Sequence, residues 1–199
     1  MNPRPSDRLY LWLCAAALAL ATTAASAQQA APEEEPDTLI LSDTLNYNDA
    51  TKESTFTGNV IMTRGLMTLH ADTLVMSEDP EGFQHGVATV SGTSKRVTVR
   101  QENPEKFELI EAEGLRGEYN GKTDEIEMIG QAIVTKFICG KPLDTIRGER
   151  VKYNQTTNVY QAYGGPQSSA QGGRVRSLAT PSAKADAAAE ACRQKSKNG

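Results

Sequence analysis

Between residues 53 and 63 apolar and polar side chains alternate. Ser54, Phe56, Gly58, Val60 and Met62 share one face; Thr55, Thr57, Asn59, Ile61 and Thr63 share the other. A period of two marks a strand with one buried face. The pattern returns at 125–134, with Ile126, Met128, Gly130, Ala132 and Val134 against Glu125, Glu127, Ile129, Gln131 and Ile133. Turn signals recur throughout: Asn48-Asp49-Ala50-Thr51-Lys52, Arg64-Gly65, Asp79-Pro80-Glu81-Gly82 and Glu102-Asn103-Pro104-Glu105. They predict strands at 38–47, 53–63, 66–76, 87–92, 95–101, 107–119, 124–137, 144–153, 158–162 and 174–178. No amphipathic helix is expected between 38 and 178. That spacing of turns is the mark of an all-β chain, with about 12–17 short strands. Glycines inside the long runs, and a parity change at Ala71-Asp72, predict corners where strands bend.

The strands carry an internal repeat. Tyr47, Thr51 and Gly58-Asn59 keep the same offsets as Tyr119, Thr123 and Gly130-Gln131, and as Tyr153, Thr157 and Gly164-Gly165. A weaker copy, Ala71-Asp72-Thr73-Leu74-Val75-Met76, puts Met76 in the tyrosine place and reaches its glycine late, at Gly92. Repeats of this length stack into one continuous core. The expected fold is therefore an elongated stack of antiparallel strands.

The ends read differently. Arg4 and Arg8, the apolar run 9–21 and Ala25-Ser26-Ala27 form a signal peptide over 1–27, cleaved after Ala27. An uncleaved anchor is the alternative, but the run is short for the ~20 residues of a membrane span. Residues 28–37, with three consecutive glutamates, read as a disordered leader, and 179–199 as a disordered or marginally helical tail. The domain proper is 38–178. Net charge is −4, which gives no reason to expect nucleic acid. Secretion allows disulfides. Cys139 falls in a strand and Cys192 in a low-complexity tail, however, so no structural disulfide is expected.

Chemistry is sparse. His70 and His85 lack metal-ligand spacing, and no metal or cofactor is expected. Asp43, Asp72 and Glu149 recur four residues before the tyrosine position. Calcium binding is one reading; carboxylates that bond backbone N–H groups at a corner is the preferred one. No nucleophile elbow surrounds any serine, and an enzyme is not expected. Asn154-Gln155-Thr156 matches a glycosylation sequon but falls in a turn. The apolar face is rich in methionine, which is either core filler or a surface for mobile apolar partners.

Several segments together resemble the OstA-like domain family of lipopolysaccharide-transport proteins. They are Ser42-Asp43-Thr44-Leu45, the run from Thr55-Phe56-Thr57-Gly58-Asn59-Val60 to Gly65, Leu69-His70-Ala71-Asp72 and Gly173-Arg174-Val175. The resemblance spans 38–178 and implies a V-shaped β-jellyroll in the periplasm that holds lipopolysaccharide acyl chains between its walls. It implies head-to-tail self-association into a bridge, with inner-membrane-anchored and outer-membrane transport components of related fold as partners. The acyl-chain groove it implies takes Leu45, Phe56, Val60, Met62, Met67, Leu69, Leu74, Met76, Val97, Val99, Ile126, Met128, Val134 and Val151. The assembly edges are Leu39, Ile40 and Leu41 at one end and Arg174, Val175 and Arg176 at the other. Gly117 breaks the pattern, because an apolar side chain is expected two residues before Tyr119. Rival readings are a membrane-anchored relative of the same fold and a structural β-solenoid with a dry core.

Overall fold

The structure, a computed structural model, describes residues 36–197. The expected signal peptide and residues 28–35 of the expected leader lie outside the described residues. Twelve strands form one sheet. In chain order they are β1 (Thr38–Leu41), β2 (Thr44–Asn48), β3 (Glu53–Arg64), β4 (Met67–Glu78), β5 (Gln84–Thr89) and β6 (Val97–Asn103). Then come β7 (Glu108–Gly114), β8 (Arg116–Asn120), β9 (Glu125–Ile138), β10 (Lys141–Asn154), β11 (Val159–Tyr163) and β12 (Arg176–Leu178). One helix, α1 (Ser182–Lys197), follows.

Four long strands, β3, β4, β9 and β10, each serve two walls. In the first wall β2, β5, β8 and β11 pair with one half of these long strands, all antiparallel. In the second wall β1, β6, β7 and β12 pair with the other half. The bend between halves falls where glycine and parity predict it. On β3 the register shifts between Thr57 and Val60, with Gly58 and Asn59 both at positive φ. Gly130 and Gln131 do the same on β9, and β10 shifts between Gly148 and Arg150. On β4 the partner changes from β6 at His70 to β5 at Thr73, across Ala71-Asp72.

The repeat has a physical origin in these corners. A Cβ on Gly58 would land on the Asp43 carboxylate, and one on Gly165 would land on that of Glu149. A side chain from the residue four before the tyrosine position thus fills the space that the glycine leaves. In the third copy Leu115 takes that place over Gly130. The preferred reading of the carboxylates holds for two of three. Asp72 accepts from the Ser91 N–H at 2.8 Å and Glu149 from the Gln167 N–H at 3.0 Å. Asp43 instead accepts from the Asn59 side chain at 3.0 Å. At the far end of each unit Asn48, Asn120 and Asn154, each following a tyrosine, accept backbone N–H groups from the turn.

Three expectations need correction. The predicted strands 38–47 and 107–119 are each two strands, broken at Ser42-Asp43 and at Leu115, because the chain changes wall there. The last strand is Arg176–Leu178, so Arg174 and Val175 precede it. Cys139 and Cys192 are joined in a disulfide, with Cα atoms 5.8 Å apart. The tail is helical, and Thr180 ties its start to β10 by bonds to Asp144 Oδ1 and the Leu143 carbonyl. From Ser182 the helix covers about 15 Å by Cys192, at 1.5 Å per residue. That carries the tail back to the β9–β10 turn, where Cys139 stands.

Candidate functional site

Strand register places the inward side chains in rows. On the first wall the row nearest the bend is Leu45, Phe56, Leu74, Ala88, Gly117, Met128, Val151 and Ala162. One pleat outward, toward the turns, lies Tyr47, Ser54, Met76, Gly86, Tyr119, Ile126, Tyr153 and Tyr160. The repeated tyrosine of the sequence is therefore a physical row, with Met76 keeping its place in it. We call these the inner row and the rim row. On the second wall Val60, Ala71 and Val97 lie near the bend. Ile40, Met62, Leu69, Val99, Ala112, Val134 and Ile146 come next, and Arg64, Met67, Gln101, Ile110 and Lys136 form the rim.

Burial falls from bend to rim. Val60, Val97, Leu74, Met128 and Val151 are almost wholly enclosed. Met62, Leu69, Val99 and Val134 are slightly less so, and Met67, Met76 and Ile126 are partly exposed. The walls are thus closest at the bend and part toward the turns. Gly117 explains itself here: a Cβ on it would lie 3.3 Å from Val97 Cγ1 of the opposite wall and 3.5 Å from Sδ of Met128 on the neighbouring strand, so these two fill the gap. Fully burying each such side chain contributes roughly 1.5–3 kcal/mol.

All fourteen candidate lining residues face the interior. Nine are buried among themselves and behave as core. Phe56, Met67 and Met76 are half-buried against that cluster, and Ile126 is half-buried beside Tyr119 and Tyr153. Leu45 stands apart: it faces the interior yet is 58% exposed, and Tyr47 beside it is 55% exposed. The rim tyrosines were missed as site residues; the repeat itself was the signal. Tyr153 and Tyr160 stack with ring centroids 4.4 Å apart. Burial, with Tyr153 and Glu108 of β7 adding to it, pushes the Tyr160 hydroxyl up to about 12. Opposite, Lys136 pairs with Glu108 at 2.8 Å.

The edge residues divide. Leu39 and Leu41 point outward from β1 and are 61% and 56% exposed, while Ile40 turns inward against Met62. Among the described residues β1 and β2 pair only with β3, and β11 and β12 only with β10, so each wall ends in an edge strand on both sides. Val159, Tyr163, Val175 and Leu178 are exposed at the second end. A cleft of about 220 Å³ on the outer face holds Glu118, Glu125, Glu127 and Lys152. Its charges pair with neighbours, Lys152 with Glu125 and Arg150 with Glu127. Among the described residues no group of histidine, cysteine or carboxylate side chains is arranged to hold a metal ion.

A family model described as "LptA/(LptD N-terminal domain) LPS transport protein" matches residues 39–159. The chain belongs to this family. Among solved structures it is similar to LptH of Pseudomonas aeruginosa, described as the LptA homologous periplasmic component of the conserved lipopolysaccharide transport device. The TM-score is 0.61 at 21% identity, over 73% of this chain and 96% of that one. At that identity the likeness speaks for the fold, an LptA-type fold of antiparallel strands. A comparison with curated proteins returned no match. The match to the LptA/LptD N-terminal family ends in β11, so β12 and α1, with Cys192, lie beyond the matched residues, while Cys139 lies within them.

Proposed function

We propose that this chain binds lipopolysaccharide by taking its acyl chains between the two walls. It carries the lipid across the periplasm as one link of a head-to-tail protein bridge. The observation that carries this reading is the interior itself. The inner row is apolar at every one of its positions across all eight strands of the first wall, and at the β2 end it is left open to solvent. The transport family to which the chain belongs names the lipid. Edge strands at both ends, apolar at Leu39, Leu41 and Leu178, suit pairing with a strand of the next subunit or of a partner of related fold anchored in either membrane. No covalent step is needed: binding is apolar burial, and direction comes from a partner that supplies energy.

The burial gradient supports a division of work within the interior. The residues at the bend hold the walls together, and the partly exposed ones nearer the rim meet the lipid. Met62 then tests stability rather than binding, since an aspartate there would be a buried unpaired charge in the empty protein. Leu45 is the better position. Leu45→Asp is expected to leave the melting temperature within a few degrees of wild type, because the side chain is exposed. It is expected to weaken lipopolysaccharide binding by tenfold or more, because bound acyl chains would cover the charge. Unchanged binding by the folded variant counts against the groove.

A further inference from the structure

We propose that the rim tyrosines form a depth stop, setting where the boundary between the acyl chains and the polar head of a bound amphiphile comes to rest. This rests on the reading of the interior as a lipid groove and adds to it the position of the ligand within it. Three observations converge. First, the polarity changes over a single pleat. The inner row holds no polar side chain, and the rim row one residue pair further out repeats tyrosine at four of its eight places. Second, tyrosine suits a boundary, with an apolar ring and a polar tip that seeks water or a partner. Third, two of the four are oriented by the turns beyond them. The Tyr47 hydroxyl donates to Asp49 Oδ1 at 3.0 Å, and that of Tyr153 to Asn158 Oδ1 at 2.9 Å. In Tyr47 and Tyr153 the hydroxyl therefore stands on the turn side and the ring on the groove side. Past them the turns expose amide and charged groups able to bond sugar or phosphate.

Leu45 and Tyr47 make a matched pair of reporters. They share β2 and its inward face, are similarly exposed, and stand roughly 7 Å apart along the strand. A photoreactive phenylalanine analogue is placed at each in the full chain, loaded with purified lipopolysaccharide and irradiated. Mass spectrometry then locates the bond on the lipid. The depth stop requires Leu45 to label methylenes along the acyl chain, and Tyr47 to label the glucosamine or the first carbons beside the ester. The same chain carbons labelled from both positions would overturn it while leaving the groove intact. Label at neither position overturns the groove reading as well. A second background, Tyr119→Leu with Tyr153→Leu, extends the apolar surface to the turns. The lipid should then settle further out, and the Tyr47 reporter should shift from head to chain. A label that stays on the head, in a variant with an unchanged circular dichroism spectrum, shows that the tyrosines do not set the depth.

Discussion

Gly58 and Asp43 divide one small space at the β3 corner, and both are needed there. Gly58 holds φ at 84° and leaves room only for the carboxylate of Asp43. Gly58→Ala adds a Cβ in a strained backbone region and pushes that carboxylate away. The expected loss is about 1–3 kcal/mol by denaturant titration. Asp72 holds the same place in the second copy but meets a cation, Lys95 at 2.8 Å, and not its glycine. The Lys95 ammonium, and after it the Ser91 N–H, holds its carboxyl below the ordinary value of 3.8. Its stabilisation is therefore present above that value and lost as pH falls through the lower folded one. Asp72→Ala is expected to flatten the acid limb of the stability curve below pH 4, measured by urea titration at several pH values. A limb as steep as wild type's would show that the Lys95–Asp72 contact contributes little to folding. The corner glycines were legible in the sequence, because glycine inside an alternating run has few other uses. The tyrosines were legible as a repeat but not as a surface. Only the register of seven strand pairings turns scattered tyrosines into a row.

The strands were read from alternation, and alternation says nothing about which wall a strand joins. For that reason the breaks at Ser42-Asp43 and Leu115 were hidden: the period of two runs almost unbroken past both. The tail was hidden for the opposite reason. Its residues Ala185, Ala188, Ala189 and Cys192 form a half-buried face at helical spacing, but alanine carries little hydrophobic signal. A helix of this length is marginal alone in water. Its anchors are the Thr180 bonds at its start, the contact of Arg193 with the Phe107 ring 6.0 Å away, and the disulfide. Reduction, or Cys192→Ser, is expected to release α1 and leave the sheet standing. Limited proteolysis would show it, with cleavage in 182–197 rising at least tenfold and 38–178 unaffected. Equal protection with and without the bond would mean that packing alone holds the helix.

At the scale of the molecule, a single sheet bent into two walls has free edges at both ends and an apolar interior between them. The proposed bridge extends such a unit by adding another of its kind, through a contact that does not close. Leu39 and Leu41 lie on the outer face of β1 and are well exposed, so Leu39→Glu with Leu41→Glu should change the monomer's stability by little. Light scattering over a concentration series should show wild type gaining mass and the double variant remaining monomeric. The fold class and the repeat were legible because they follow from local pattern. The division of the interior into core and open surface was not, since it depends on how far the walls part. In the proposed function acyl chains, and not the sugar, occupy that interior. Competition measures this most directly: delipidated protein is loaded with labelled lipopolysaccharide and challenged with intact or with fully deacylated lipopolysaccharide. The intact form should displace the label and the deacylated form should fail to do so at a hundredfold excess. Equal displacement by the two forms would contradict that reading.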